Sequence, residues 1–197
     1  DMRYAGRISL NLWDPETAWF NQGTYLGKKK VLAIGLGGDT QKDGSSYTDP
    51  NDARDKTDDY NAWTIDAHLD LPLGDDSCIT AEAAYIDIDS SANGVSNTAL
   101  RAGDDGELYS VKAGYLFPGT VGPGQLMLVA HWEYLDADKV EKDPANNKTY
   151  IYGGGVNYYI AGHGNKISLD ITQITQDHET PGERDRLYAT IQFAAGF

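Results

Sequence analysis

Residues 186–197 read RLYATIQFAAGF, and this stretch decides the fold because its residues alternate strictly in character. One set of alternate positions is apolar: Leu187, Ala189, Ile191, Phe193, Ala195 and Phe197. The other set is polar or small: Arg186, Tyr188, Thr190, Gln192, Ala194 and Gly196. Successive side chains of a β-strand point to opposite faces, so the stretch predicts a strand with one apolar and one polar face.

The same period of two recurs eight times upstream, and helical periodicity is almost absent. The upstream apolar sets begin at Ile8, Leu32, Trp63, Ile79, Tyr109, Leu126, Tyr152 and Ile167. The result is nine strands of roughly ten residues, close to the ~9–11 residues that a tilted membrane strand needs. The sequence therefore predicts an all-β, antiparallel, up-and-down transmembrane β-barrel.

The predicted connections between strands alternate between short and long. The short ones are Leu73–Ser77, Pro118–Gly124 and Ala161–Asn165, and the long polar ones are Lys42–Tyr60, Ser90–Gly106, Asp136–Lys148 and Asp177–Asp185. Transmembrane barrels have short periplasmic turns and long extracellular loops. With the C-terminal end in the periplasm, every connection falls on its expected side. Only Asp14–Thr24 is longer than a periplasmic turn should be.

Composition excludes several classes of protein. The 197 residues carry a net charge of −14 and a pI near 4.5, which argues against nucleic-acid binding because that function needs a basic face. The single cysteine, Cys78, excludes an intrachain disulfide framework, and we interpret it as a small residue at a strand start. No phosphate-binding glycine loop, nucleophile–base pair or metal-ligand spacing is evident, so we expect no enzyme activity, no cofactor and no metal site.

Two stretches resemble known bacterial sequences. The run Arg186–Phe197 is similar to the insertion signal of outer-membrane proteins, which implies that the barrel-assembly machinery recognises Phe193 and Phe197. The segment Gly6–Gln41 resembles the phosphate-selective porin O and P family through Trp13-Asp14-Pro15-Glu16, then Thr24-Tyr25-Leu26-Gly27-Lys28-Lys29-Lys30 and the apolar strand after it. This resemblance implies a 16-stranded, usually trimeric diffusion channel in the outer membrane of a Gram-negative bacterium.

The odd number of predicted strands indicates that the nine strands are part of a larger barrel. Bacterial single-chain barrels have an even number of strands, and an open sheet in lipid leaves unpaired backbone groups that cost several kcal/mol each. We therefore expect residues 1–197 to be a single barrel segment that lacks N-terminal strands. Seven further strands would give 16, which is wide enough for an aqueous channel.

Charged residues on the predicted polar faces are the candidate pore lining. They are Arg7, Asp66, His68, Asp70, Glu82, Lys112, Glu133, Asp170 and Arg186. Only three of them are Arg or Lys, which departs from the basic ladder associated with phosphate selectivity. An acidic lining focuses cations and repels anions, so the predicted channel is a general or cation-preferring porin for small solutes or ions.

Three other functions remain open at this point. A structural or scaffolding barrel could sheath or dock a partner, such as an electron-transfer protein. An outer-membrane enzyme needs a clustered nucleophile and base near the rim. A soluble carbohydrate-binding sandwich would share the alternation of apolar and polar residues.

Overall fold

The computed structural model describes residues 2–15, 23–48, 55–90, 106–136, 148–176 and 185–196. The alternating stretches form nine strands. These are β1 (Arg3–Asn11), β2 (Val31–Thr48), β3 (Asp55–Gly74), β4 (Ser77–Asp89), β5 (Gly106–Leu116), β6 (Gln125–Asp136), β7 (Lys148–Ala161), β8 (Asn165–Gln176) and β9 (Arg186–Ala195). No described residue belongs to a helix that is long and apolar enough to cross a membrane.

The strands form one sheet in chain order, and each pairs antiparallel with the next. The predicted all-β, up-and-down arrangement is therefore confirmed. Within the described residues β1 and β9 are the two edges of the sheet, and their residues are almost all exposed. Their edges present backbone donors and acceptors with which further strands could pair.

The three short turns lie at one end of the sheet, which we call the short-turn end. Between β3 and β4 only Asp75 and Asp76 intervene, and both have positive φ (50° and 57°). Two residues in this conformation make the tight hairpin whose twist matches that of the flanking strands. Gly162, with φ of 60°, serves the β7–β8 turn in the same way.

The expected long loop Lys42–Tyr60 is wrong in its bounds. The β2–β3 ladder continues through Thr48 and Asp55, with a register shift between Gln41 and Ser45. Polar residues on both faces hide this extension from the alternation, but backbone hydrogen bonds form without an apolar face. The interiors of the other three predicted long loops lie outside the described residues.

A small buried cluster lies on the polar face of the sheet at the short-turn end. It contains Cys78, Leu116, Met127 and Tyr159, with Leu26 and Val129 packed against it. The Tyr159 hydroxyl donates to Met127 Sδ at 3.7 Å. Cys78 lies near the start of β4, as the sequence interpretation expected, and it is fully buried.

Candidate functional site

Every predicted pore-lining residue lies on the polar face of the sheet. Directly opposed residues of neighbouring strands share a face, so the register assigns each position. One row crosses the sheet as His68, Glu82, Lys112 and His131, and a neighbouring row contains Asp66, Glu133 and Arg186. Asp70 and Asp170 lie on the same face, two residues along their strands from the first row. Arg7 also lies on this face, two residues along β1 from the second row.

Basic and acidic side chains lie diagonally close to one another along this face. Lys112 Nζ lies 3.8 Å from Glu133 Oε1, and His131 Nε2 lies 3.4 Å from Asp170 Oδ2. The Thr172 hydroxyl also donates to Asp170 at 2.5 Å. These groups, with Lys166 and His163, line a cavity of about 460 Å³ between β4 and β8. A cavity of this size accommodates water and small solutes.

An ion pair bridges β1 and β3 above the backbone of β2. Arg7 donates to both carboxylate oxygens of Asp66, with distances of 2.5 and 2.8 Å. The residue between them on β2 is Gly35, where a Cβ would collide with the Arg7 guanidinium and lie 2.7 Å from an Asp66 oxygen. The absence of a side chain at Gly35 therefore gives Arg7 and Asp66, which lie on non-adjacent strands, the space to contact each other.

The end of the β1–β2 connection crosses the polar face. We call residues Gly23–Lys30 the strap. The Tyr25 amide donates to Asp70 Oδ2 at 2.6 Å, and the Thr80 hydroxyl donates to the Gly23 carbonyl at 2.9 Å. The strap therefore covers part of the surface that the sequence assigned to the pore.

Two predicted pore residues are buried, and the strap contacts one of them, Asp70. Asp70 has no exposed area and His68 is 5% exposed, so both lie in the wall and neither borders the cavity. His68 Nδ1 is 3.7 Å from Glu82 Oε1, which does border it. Glu82, Lys112, Glu133 and Asp170 are the predicted residues that the structure brings together around the cavity.

The two ends of the β1–β2 connection, which carry the motif that resembles the porin family, are hydrogen-bonded to each other at Asp14 and Lys30. Asp14 and Lys30 exchange two hydrogen bonds: the Asp14 amide donates to the Lys30 carbonyl at 3.0 Å, and the Lys30 amide donates to Asp14 Oδ2 at 2.9 Å. Lys30 Nζ also lies 4.2 Å from the centre of the Trp13 ring. Glu16 lies outside the described residues.

The opposite face of the sheet is apolar and exposed. Its members include Ile8, Leu10, Ile34, Leu36, Ile65, Val111, Leu128, Trp132, Leu169, Ile171 and Ile191. Between two rows of aromatic residues, the described part of this face carries no Asp, Glu, Lys or Arg. The exposed apolar area therefore forms a continuous band, far larger than the scattered apolar residues of a soluble surface.

An aromatic row borders the band at the end away from the short turns. Tyr85, Tyr109, Tyr134 and Tyr150 oppose one another directly on β4 to β7, with ring centroids 4.7, 5.9 and 5.1 Å apart. The hydroxyls of the first three donate to the nearby carboxylates of Asp87, Glu107 and Asp136, at 3.1, 2.9 and 2.7 Å. The rings thus have apolar residues on one side and charged groups on the other.

A second aromatic group borders the band near the short-turn end. Tyr115 and Phe117 pack edge to face with centroids 5.0 Å apart. Tyr158 and Phe193 lie on the same face at a similar level, on either side of Ile167. Phe193, predicted as part of the insertion signal, is 72% exposed, whereas Phe197 lies outside the described residues.

Sequence reasoning missed the strap and its anchors. His163 is not among the predicted site residues, yet its Nε2 lies 2.8 Å from the Thr24 carbonyl. Because a carbonyl only accepts hydrogen bonds, Nε2 carries the proton in this contact. The unusual length of Asp14–Thr24 was the one signal that this connection differs from the other turns.

Comparison of the chain with family models, curated proteins and solved structures found no match.

Proposed function

We propose that this chain forms part of the wall of an outer-membrane β-barrel whose water-filled lumen admits small solutes or ions by passive diffusion. One observation carries the proposal: the two faces of a single sheet differ completely in charge. The polar face holds all nine predicted pore-lining residues, whereas the apolar face is free of charge between its aromatic borders over the described strands. Alternation of lipid-facing and lumen-facing residues produces this segregation.

The height of the apolar band supports a bilayer as its surroundings. Tyr109 and Phe117 mark its borders, the former on β5 and the latter just beyond it. Eight steps of ~3.3 Å span about 26 Å along the strand, and a tilt of 35–45° lowers this to about 20 Å. Outer-membrane barrels carry apolar bands of ~25 Å flanked by aromatic girdles. The tyrosine hydroxyls would then meet water and lipid headgroups.

The two exposed edges support closure by further strands. Unpaired backbone groups in lipid cost several kcal/mol each, so β1 and β9 need partners in a membrane. Seven more strands would give the 16-stranded barrel that the resemblance to phosphate-selective porins implies. Such a barrel encloses an aqueous channel.

Charge on the polar face supports a weak preference for cations. Around the cavity, Glu82, Glu133 and Asp170 outnumber Lys112 and Lys166 by three to two. Lys112 and Glu133 form an ion pair, so the remaining field is modest. We therefore propose a general porin with a small cation preference and without selectivity for phosphate.

Planar-bilayer recording tests the proposed function. Protein purified from outer membranes should produce stepwise conductance, and a KCl gradient should give a reversal potential of the sign expected for K⁺ preference. Asp170→Asn should reduce that potential, while Asp75→Asn, in an exposed turn, should leave it nearly unchanged. Repeated reconstitution of folded protein without any conductance would refute a channel.

The open edges also favour a second candidate, a scaffolding barrel closed by strands of another chain around a docked protein. It predicts that a stoichiometric partner co-purifies in detergent and that the lumen does not conduct. A conducting homo-oligomer without such a partner would exclude it.

A further inference from the structure

We infer that the strap, Gly23–Lys30, is the fixed constriction of the channel, located at its short-turn end and selecting solutes by size. This inference rests on the proposed function. The narrowest part of the pore would then be formed by a segment at the short-turn end, held in place by Thr80, His163 and Asp70.

The strap crosses a wide part of the polar face. Its contacts begin on β3 at Asp70, continue on β4 at Thr80 and Cys78, and reach the β7–β8 turn at His163. Side chains from β3, from β4 and from the β7–β8 turn therefore converge on the short segment Gly23–Tyr25, which lies over the lumen side of the wall. Gly23 and Thr24 also border the 460 Å³ cavity, so they narrow the space at that level.

Hydrogen bonds to its backbone hold the strap in place. The carbonyls of Gly23 and Thr24 accept from Thr80 and His163, and the amide of Tyr25 donates to the fully buried Asp70. Three consecutive residues are thus bonded to three different parts of the wall. An ordered segment of this kind gives a pore of constant width.

Apolar packing anchors the next residues. Leu26 packs against the cluster around Cys78, and Thr24 is only 4% exposed with its hydroxyl 4.0 Å from Cys78 Sγ. Gly27 has φ of +75°, and a Cβ there would lie 3.4 Å from the Ser77 carbonyl. The strap therefore lies directly on the start of β4.

The chemistry of the strap favours selection by size over selection by charge. The part that borders the cavity consists of Gly23 and Thr24, which carry no charge. Releasing this part should widen the pore without changing the sign of its ion preference. This outcome separates the strap from the charged wall residues.

The main test compares a double variant with a single-substitution control, both in the full chain. Thr80→Val combined with His163→Phe removes both donors to the strap carbonyls and alters no carboxylate or lysine. Thr64→Val is the matched control, because its hydroxyl donates to the Tyr85 carbonyl at 2.9 Å, away from the strap. Heat-modifiable migration on gels identifies the folded protein for each variant.

We expect the double variant to conduct about twofold more and to admit larger neutral polyethylene glycols, because the narrowest cross-section limits the flow. Its reversal potential should keep its sign, and Thr64→Val should behave as the original protein. Equal conductance and equal polymer exclusion in the double variant and the control would overturn the inference while leaving the channel intact.

A cross-link reports the position of the strap independently of conductance. Cys78 is the only cysteine, so Thr24→Cys creates a single pair that can oxidise to a disulfide when a thiol oxidant such as diamide accepts the two electrons and two protons. In membranes this pair should cross-link nearly completely, and the locked protein should conduct as before. Failure to cross-link in folded protein would overturn the inference. Efficient cross-linking in a protein that never conducts would refute the channel and, with it, the constriction.

Discussion

Arginine placed at the middle of the apolar face should destabilise the folded protein much more than arginine placed on the polar face. Ala113 lies midway between Tyr109 and Phe117, the borders of the apolar band, and its side chain points away from the cavity side. We choose Ala113→Arg as the perturbation and Ser110→Arg as its control. Ser110 lies on the polar face of the same strand and directly opposes Glu133.

The magnitude follows from depth in the bilayer. Ala113 lies four residue steps from each border, or about 13 Å along the strand at ~3.3 Å per residue. Arginine on the lipid face near the midplane costs about 2–4 kcal/mol, and near the interface about 0–1 kcal/mol. Ala113→Arg should therefore lower the folding equilibrium constant roughly 30- to 700-fold, at about 1.4 kcal/mol per factor of ten.

The assay is reversible urea unfolding of protein inserted in lipid vesicles, followed by tryptophan fluorescence. Ala113→Arg should shift the unfolding midpoint to lower urea with an unchanged slope, because the substitution changes stability and not the surface exposed. Ile160→Arg adds a depth control, because Ile160 lies beyond Tyr158 at the edge of the band. Its shift should be a small fraction of that for Ala113→Arg.

Comparison of the three shifts in the unfolding midpoint tests whether the apolar face lies in lipid. Equal destabilisation by Ala113→Arg and Ser110→Arg would mean that the two faces meet similar surroundings. Equal destabilisation by Ala113→Arg and Ile160→Arg would mean that burial against protein, and not depth in lipid, sets the cost. Either result would refute the membrane assignment of the apolar face.

Substitutions at three further positions test other features of the sheet. Arg7→Ala should increase cation preference in reversal-potential measurements, because Asp66 loses its bidentate partner. The free energy of unfolding should change by less than about 1 kcal/mol, since the pair is partly exposed. An unchanged reversal potential would place this pair outside the ion path. Gly155→Ala should cost about 1–3 kcal/mol in urea unfolding, because its Cβ would overlap the Leu169 carbonyl on β8; a neutral result would contradict that close approach. Tyr134→Phe should cost less than about 1 kcal/mol and Tyr134→Ala clearly more, because the ring packs between two other tyrosines at ~0.5–1.5 kcal/mol per pair; equal losses would show that the hydroxyl matters more than the ring.

The sequence predicted the strands well where one face is apolar and the other polar. Arg186–Phe197 and the eight similar stretches obey a period of two, which comes directly from backbone geometry and needs no tertiary information. The same rule assigned all nine charged residues to one face. It failed at Lys42–Tyr60, where both faces are polar and the β2–β3 ladder continues without any apolar signal.

The tight turns were also visible in the sequence, because their chemistry is local. Asp75 and Asp76 follow Gly74 between two apolar strands, and such residues tolerate positive φ. The alternation of short and long connections predicted strands that pair in chain order, and the structure confirms this order, with β1 and β9 at the edges.

By itself, then, the sequence determined an antiparallel sheet with a charged face and an apolar face, because these properties arise from the order of neighbouring residues. Only the tertiary structure decided which charges meet. Register brings Arg7 to Asp66, which lies 59 residues away, and it buries Asp70 beneath the Tyr25 amide. The strap was decided at the same level, because its position depends on hydrogen bonds from β4 and the β7–β8 turn, and no pattern within residues 23–30 encodes those partners.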